Sequence, residues 1–290
     1  MALLLEHVSH IYGEDTNMAV AALGDINLEI PDGQFIGLIG HTGSGKSTLI
    51  QHLNGLLQPT TGKIYFNGQD INEKQYNRKE LRSKVGLVFQ YPEHQLFEVT
   101  VFQDVCFGPK NLGLSQKEVE IRAFRALKQA GVKEEQFYQS PFDLSGGQKR
   151  RVAIAGVLAM EPQVLILDEP TAGLDPAGRE EILGQIKNLQ KETGITIILV
   201  SHSMEDVAEY VDRIIVMNRG KIMFDDTPKG VFKEYEKLEE IGLAAPQVTY
   251  IMNALIKEGM DLSSEATTIQ EAKEEILTFF KKIKENRKKE

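Results

Sequence analysis

The chain has 290 residues, 41% of them hydrophobic and 26% charged, a composition typical of a folded globular protein. Its net charge of −9 disfavours nucleic-acid binding, which usually needs a basic face, so no nucleic-acid partner is expected. The single cysteine excludes an internal disulfide framework. The N-terminus lacks the regions of a signal peptide, and the apolar stretches are far shorter than the roughly 20 residues of a membrane-spanning helix.

In chain order, three short, alternating, turn-bounded runs predict an antiparallel β layer; they cover 3–12, 23–30 and 62–68. Nearly continuous apolar runs are typical of strands buried on both faces of a parallel sheet, and they occur at 34–40, 84–89, 163–168 and 195–201. Helical patterns lie between them at 46–57, 115–131, 145–160 and 176–192. This alternation predicts an α/β fold with a mostly parallel central sheet.

The strand signal disappears after about residue 90, which predicts a helical subdomain inserted into the sheet at 91–160. Residues 1–90 and 161–235 then form the core, and 236–290 a small, mostly helical C-terminal domain. The last predicted helix carries an apolar stripe that must pack on its own domain or on a partner subunit; it consists of Ile269, Ala272, Ile276, Phe279 and Ile283.

The segment GHTGSGKST at 40–48 matches the pattern G-x-x-x-x-G-K-[ST] in the required context, after a buried strand and before a helix. Its glycines allow successive backbone N–H groups to surround a phosphate, and the helix dipole favours the same anion. Lys46 is expected to bridge the β- and γ-phosphates, and the Ser47 hydroxyl to bind Mg²⁺. The pattern alone arises by chance about once in a hundred such chains, so its context matters.

Three more polar side chains follow buried strands, at the sheet edge where ligands bind in open α/β folds. Asp168 is a candidate Mg²⁺ ligand, and Glu169 a candidate general base for an attacking water. His202 is a candidate hydrogen-bond donor to the γ-phosphate. The alternatives are a helix cap with a solvated turn for the carboxylates, and an ordinary surface histidine.

The segment LSGGQ at 144–148 offers a second anion site at a helix start, about 100 residues after the first. Within one nucleotide pocket such a site has no obvious purpose. Ser145 is equally suited to be an ordinary N-cap.

LSGGQ between GHTGSGKS and VLILDEP resembles the signature motif of ATP-binding-cassette (ABC) ATPases, and the resemblance covers roughly residues 1–235. It implies a P-loop ATPase with ATP and Mg²⁺ as cofactors. The implied ATP-binding residues are Tyr12, Gly40, His41, Thr42, Gly43, Ser44, Gly45, Lys46, Ser47 and Thr48. The implied catalytic residues are Glu169, His202, Gln90 and Lys46, with Ser47, Gln90 and Asp168 on the metal.

In this family two cassettes pair head to tail, so the resemblance implies that the signature acts on the partner's nucleotide. The signature residues are Leu144, Ser145, Gly146, Gly147 and Gln148, and Asp175 in the D-loop would lie near the interface.

The stretch VGLVFQYPEHQLFEVTVFQDVCFGPKNLG at 85–113 looks like the A subunits (ATP-binding proteins) of energy-coupling factor (ECF) transporters. Its Tyr-Pro-Glu version and the long segment after Tyr12 are similar to the second A-subunit type. The resemblance implies a prokaryotic importer of vitamins or other micronutrients, with this chain at the cytoplasmic face of the cell membrane. The implied partners are a second A subunit, paralogous rather than identical, a membrane T subunit and a small substrate-binding membrane S subunit. Residues 236–290 would help to hold the A pair together.

Leu96 and Phe97 follow Gln90 in a polar loop and are candidate contacts for a coupling helix of the T subunit. Their alternative is packing in the core of the helical subdomain.

Three other functions compete with an ECF subunit. The first is the ATPase of a conventional ABC importer or exporter, or of a cobalt or nickel importer. The second is a soluble cassette acting on DNA or ribosomes, which the acidic charge and the absence of a heptad run disfavour. The third is a P-loop kinase, which would leave LSGGQ and Gln90 without a role.

Overall fold

The computed structural model describes residues 2–14 and 18–286, so residues 15–17 of the long segment after Tyr12 lie outside it. Ten strands lie within the described residues: β1 Leu3–Tyr12, β2 Val20–Ile30, β3 Phe35–Ile39, β4 Thr61–Phe66, β5 Gln69–Asp70, β6 Val85–Val88, β7 Val164–Asp168, β8 Thr196–Val200, β9 Arg213–Asn218 and β10 Lys221–Asp226. The helices are α1 Lys46–Leu53, α2 Arg78–Lys84, α3 Val101–Asn111, α4 Gln116–Gln129, α5 Gly146–Leu158, α6 Pro176–Thr193, α7 Met204–Tyr210, α8 Pro228–Lys233, α9 Tyr235–Glu240, α10 Gln247–Lys257 and α11 Ile269–Asn286. Within these described ranges, no helix has both the length and the apolar character that crossing a bilayer requires.

The strands form two sheets, as the sequence predicts. One is antiparallel with the order β2-β1-β4-β5, and the other has the order β10-β9-β3-β8-β7-β6. In the second sheet only β10 is antiparallel to its neighbour. Every residue of β3 and of β8 is buried, which is why these strands show as continuous apolar runs in the sequence.

The order of the central strands brings the predicted site residues to one edge. In β8, Val200 pairs with Leu38 of β3 on one side and with Asp168 of β7 on the other. The carboxyl ends of these three parallel strands are therefore level. The phosphate-binding segment, the carboxylates and His202 all begin at this edge, which is where ligands bind in open α/β folds.

Between β6 and β7 the chain is helical. The helices α3, α4 and α5 pack on one another around buried apolar side chains, and α5 also contacts β6. Each helix begins at a side chain that accepts a hydrogen bond from the first turn: Thr100 for α3, Ser115 for α4 and Ser145 for α5. A short 3₁₀ helix, Pro92–Gln95, links β6 to α3.

The C-terminal helices divide into two groups. Phe232 in α8 and Leu238 in α9 are fully buried in the main core. In contrast, α10 and α11 share a small separate cluster around Met252, Ala266 and Ala272, with Ile276 at its margin. The predicted stripe on α11 is thus only partly covered, because Ala272 is buried while Ile269 is 80% exposed.

Candidate active site

The phosphate-binding segment connects β3 to α1. Lys46, the first residue of α1, is buried, and its Nζ donates hydrogen bonds to the carbonyl oxygens of Gly40 at 2.6 Å and His41 at 3.1 Å. Burial lowers the pKa of Lys46, and the nearby carboxylates of Glu169 and Asp168 oppose this effect. A buried cation held by two neutral carbonyls is well placed to interact with an anion.

Two glycines of this segment, Gly40 and Gly45, are required by close backbone contacts. A Cβ atom at Gly40 would lie 2.5 Å from the carbonyl oxygen of Met217, and one at Gly45 would lie 2.7 Å from that of Ala22. Gly45 also has a φ of +104°, which side-chain-bearing residues rarely adopt. The loop can therefore keep this shape only with glycine at these positions.

The segment also contains an unsatisfied polar atom. Ser44 is fully buried, and its Oγ has no hydrogen-bond partner among the described residues. Such an atom is costly unless a ligand or water completes its bonding. Together with the tight glycine turn and the buried Lys46, it shows that these residues fit a bound phosphate group.

Across the sheet edge, three side chains form a hydrogen-bonded cluster. His202 Nε2 lies 2.8 Å from Glu169 Oε1, and Gln90 Nε2 donates to Glu169 Oε2 at 3.2 Å. Glu169 has a φ of +50°, an unusual conformation for a residue with a side chain. Its N–H donates to the Val200 carbonyl at 3.0 Å, which fixes this turn against the end of β8.

Asp168 lies beside this cluster. Burial raises the pKa of Asp168, and Glu169 acts in the same direction, whereas Lys46 and His202 lower it. Within the described chain, no three carboxylate, histidine or cysteine side chains converge as metal ligands. A single carboxylate suits Mg²⁺ at a phosphate site, because this ion usually takes one or two protein carboxylates plus phosphate oxygens.

The signature segment lies elsewhere in the fold. Ser145 caps α5 through a capping box: its Oγ accepts from Gln148 N–H, and its own N–H donates to Gln148 Oε1 at 2.8 Å. Gly146 is exposed and Leu144 is buried. Of the central strands, α5 contacts the edge strand β6, which is three strand spacings, about 14 Å, from β3.

Two further predicted residues flank these segments. The half-exposed Tyr12 has its hydroxyl 3.2 Å from that of Thr48, so it lies against the start of α1. Asp175 is the N-cap of α6, and its Oδ1 accepts from Gly178 N–H at 2.7 Å.

The apolar pair after Gln90 is divided between core and surface. Leu96 is buried in the main core, whereas Phe97 is 57% exposed and its ring lies edge-on to that of Phe107, with centroids 4.9 Å apart. Asp104 fixes this loop by accepting hydrogen bonds from the backbone N–H groups of Phe97 and Glu98, both at 2.9 Å. Burial raises the pKa of the Asp104 carboxyl.

Sequence comparison assigns the family. The sequence model of the ABC transporter family matches residues 23–172. The energy-coupling factor transporter ATP-binding protein EcfA2 of Clostridium tetani is 57% identical over 281 residues, which cover 97% of this chain and 98% of that protein. This chain belongs to the ECF transporter ATP-binding proteins. The EcfA2 of Caldanaerobacter subterraneus, also 57% identical, matches this ECF protein over 98% of its chain.

Solved structures agree with this assignment. The cbiO1 protein of Clostridium perfringens, part of the ABC transporter complex cbiONQ, has a TM-score of 0.75 at 42% identity, covering 87% of this chain and 98% of that one. The ATP-binding cassette MJ0796, in a dimeric post-hydrolysis state bound to ADP and Pi, has a TM-score of 0.68 at 31% identity, covering 78% of this chain and 98% of that one. The expected fold class and the expected activity, that of an ATP-hydrolysing transporter subunit, are confirmed. The comparisons do not favour the alternative functions.

One buried residue of this ECF protein was not among the predicted site residues. Arg150, in the second turn of α5, forms an ion pair with Glu93, with Nη2 2.9 Å from Oε1. The two residues are 57 positions apart. A charged residue within the helical core pattern of 145–160 was the only available signal.

Proposed function

We propose that this ECF subunit binds Mg-ATP with residues 40–48 and hydrolyses it at a site that a second A subunit completes. One observation carries the proposal. The Gln90–Glu169–His202 cluster lies at the carboxyl ends of the central strands, level with the phosphate-binding segment after β3, whereas the side chains of Ser145 and Gln148 in the signature bond to each other and, within the described chain, to none of these residues. Two anion-binding segments so separated suit two different nucleotides.

Within the site, the roles follow from the chemistry of each group. The backbone N–H groups of 40–48 and the Lys46 ammonium bind the phosphates, and the Tyr12 ring would stack on the adenine. Ser47, Gln90 and Asp168 would hold Mg²⁺, which neutralises phosphate charge when bound. The Glu169 carboxylate accepts the proton of the attacking water. The His202 imidazole, with Nε2 2.8 Å from that carboxylate, orients it and, when ATP is bound, would donate to the γ-phosphate instead.

The signature acts in trans in this proposal. Residues 144–148 of each chain would contact the nucleotide bound by the partner, with Asp175 beside the shared interface. The capping box does not exclude this role, because Gly146 is exposed at the positive end of α5. A partner phosphate would compete with the internal cap.

The proposed assembly contains this chain, a paralogous A subunit, a membrane T subunit and a small S subunit that binds a vitamin or other micronutrient. We place it at the cytoplasmic face of the cell membrane. A groove of about 610 Å³, lined by Leu96, Phe97, Phe107, Val152 and Met160, lies beside residues 90–97, which we call the glutamine segment. It suits an apolar helix of the T subunit, with Phe97 as the exposed contact and Leu96 as its support.

We also propose the division into a core at 1–90 and 161–235, a helical subdomain at 91–160 and a dimerisation domain at 236–290. The incompletely covered face of α11 supports the last role. It includes Ile269, 80% exposed, and Leu277 and Phe280, each 49% exposed.

A complementation experiment tests the two-chain site. Ser145→Arg fills the space in front of α5 with a long cation. Lys46→Met, for comparison, removes this chain's own contact with the phosphates. We expect the Ser145→Arg chain to bind ATP normally, and the assembled complex to lose turnover at the partner's site. Unchanged turnover in complexes carrying Ser145→Arg would contradict the trans role. Purification from detergent extracts tests the partners: recovery of this chain without a T-type membrane protein would contradict the proposed assembly.

A further inference from the structure

Arg150 joins three segments that the proposed function uses separately, namely its own helix α5 and two others that its side chain contacts. Its side chain is 3% exposed. Its Nη2 donates to both carboxylate oxygens of Glu93, at 2.9 and 3.2 Å, and its Nε donates to Oε2 at 3.3 Å. Its Nη1 donates to the carbonyl oxygens of Pro170 at 3.0 Å and Ala172 at 2.7 Å.

Each contact lies next to a functional residue. Glu93 is three residues after Gln90, in the short helix that follows β6. Pro170 directly follows Glu169, and the Ala172 N–H donates to the Glu169 carbonyl at 3.2 Å. Arg150 itself is five residues after Ser145, about 7.5 Å along α5.

We propose that Arg150 is a positioning residue that ties the glutamine segment and the turn after Glu169 to the start of the signature helix. A movement of Gln90 caused by the nucleotide would thereby displace the signature that faces the partner's nucleotide. This inference rests on the proposed ATP site.

The effect of the contact depends on the shape and rigidity of the guanidinium group. A guanidinium is planar and donates from fixed directions, so a fork on a carboxylate together with two carbonyl bonds fixes the relative positions of all three segments. Because the ion pair is buried, solvent screens it little, and loss of either partner leaves a buried charge unpaired. A lysine at 150 would have a single ammonium and could not reproduce the fork.

The test measures whether two segments still respond together. Hydrogen–deuterium exchange is followed in the full chain with and without Mg²⁺ and AMP-PNP, a non-hydrolysable ATP analogue. In the wild type we expect the analogue to slow exchange at 40–48, 90–97 and 145–151. In the double variant Glu93→Gln/Arg150→Met, slowing at 40–48 persists, while slowing at 145–151 falls by about fivefold or more, the lower range of coupling between sites.

The double variant separates positioning from folding. Arg150→Met alone leaves the Glu93 charge buried and unpaired, whereas the second substitution removes that charge. We expect the thermal stability lost in Arg150→Met to be largely regained in the double variant, without recovery of the exchange response at 145–151. If both recover together, Arg150 is only structural and the proposal is wrong. Arg150→Lys, which keeps the cation, provides a milder variant with an intermediate response.

A neighbouring residue is the matched control. Arg151 lies on the same helix but pairs with Glu181 on α6 and donates to the Gly131 carbonyl. Arg151→Met should keep the wild-type exchange response at 145–151. An equal loss in both arginine variants would overturn the assignment to Arg150. If the analogue slows no exchange at 40–48 in the wild type, the proposed ATP site itself fails. If it slows 40–48 but not 145–151, only the inference fails.

Discussion

Replacing Glu169 by glutamine should remove hydrolysis and leave nucleotide binding intact. The two side chains have the same shape, and the amide oxygen of a glutamine can still accept a hydrogen bond from His202 or from Gln90, whose nitrogens lie 2.8 and 3.2 Å from the carboxylate. A lost general base lowers rates by about 10²–10⁴-fold, which adds about 3–5 kcal/mol to the barrier. Because Glu169 contributes to the raised pKa of Asp168, its neutralisation leaves Asp168 more readily ionised and able to hold Mg²⁺.

Two measurements check this expectation. Steady-state phosphate release should give a kcat at least about 100-fold below the wild type with little change in KM. Thermal unfolding should still show stabilisation by Mg-ATP, about 2.7 kcal/mol at a nucleotide concentration 100 times Kd. Glu192→Gln, at an exposed position on α6, is the matched control. A kcat within threefold of the control would refute the role of Glu169 as general base.

Four further predictions concern other parts of the chain. Leu96→Ala should lower the free energy of unfolding by about 2–5 kcal/mol in denaturant titrations, because its side chain is buried. Phe97→Ser should fold with near-normal stability but lose the T subunit on purification, and retention of that subunit would remove Phe97 from the interface. Gly45→Ala should abolish ATP binding in equilibrium titrations, since the added Cβ would lie 2.7 Å from the Ala22 carbonyl oxygen; normal affinity would contradict this. Burial raises the pKa of Asp206, so its protonated form favours the folded state and its stabilising contribution is lost as pH rises through the folded-state pKa. Asp206→Asn should therefore raise the melting temperature at pH 7 but not near pH 4. Equal shifts of the melting temperature at the two pH values would contradict this prediction.

The parallel core could be predicted because its signal is local. A strand covered on both faces must be apolar throughout, so the predicted run at 34–40 corresponds to β3 at Phe35–Ile39. The same holds for 163–168 and β7, Val164–Asp168. The helices α2 and α7 were not predicted, because each has seven residues, too few for a clear periodicity. Both depend on side-chain caps, from Asn77 and Ser203.

In the candidate site, too, some features could be predicted from the local sequence and others could not. Glu169 and His202 were expected at one edge because parallel strand order alone brings strand ends together. Their direct contact and the positive φ of Glu169 depend on three-dimensional packing that the local sequence does not encode. The burial of Leu96 and the exposure of Phe97 likewise depend on the path of one loop, in which Asp104 accepts hydrogen bonds from two backbone N–H groups.

The capping box at Ser145 has a consequence for the lifetime of the proposed closed dimer. Two polar groups at the tip of α5 are already bonded within the chain, through Gln148. A phosphate that takes these donors displaces an internal bond worth about 1 kcal/mol, so each such exchange shortens the lifetime of the contact by about fivefold. A signature whose internal cap re-forms on release dissociates quickly from the hydrolysed nucleotide, which favours rapid turnover over tight binding.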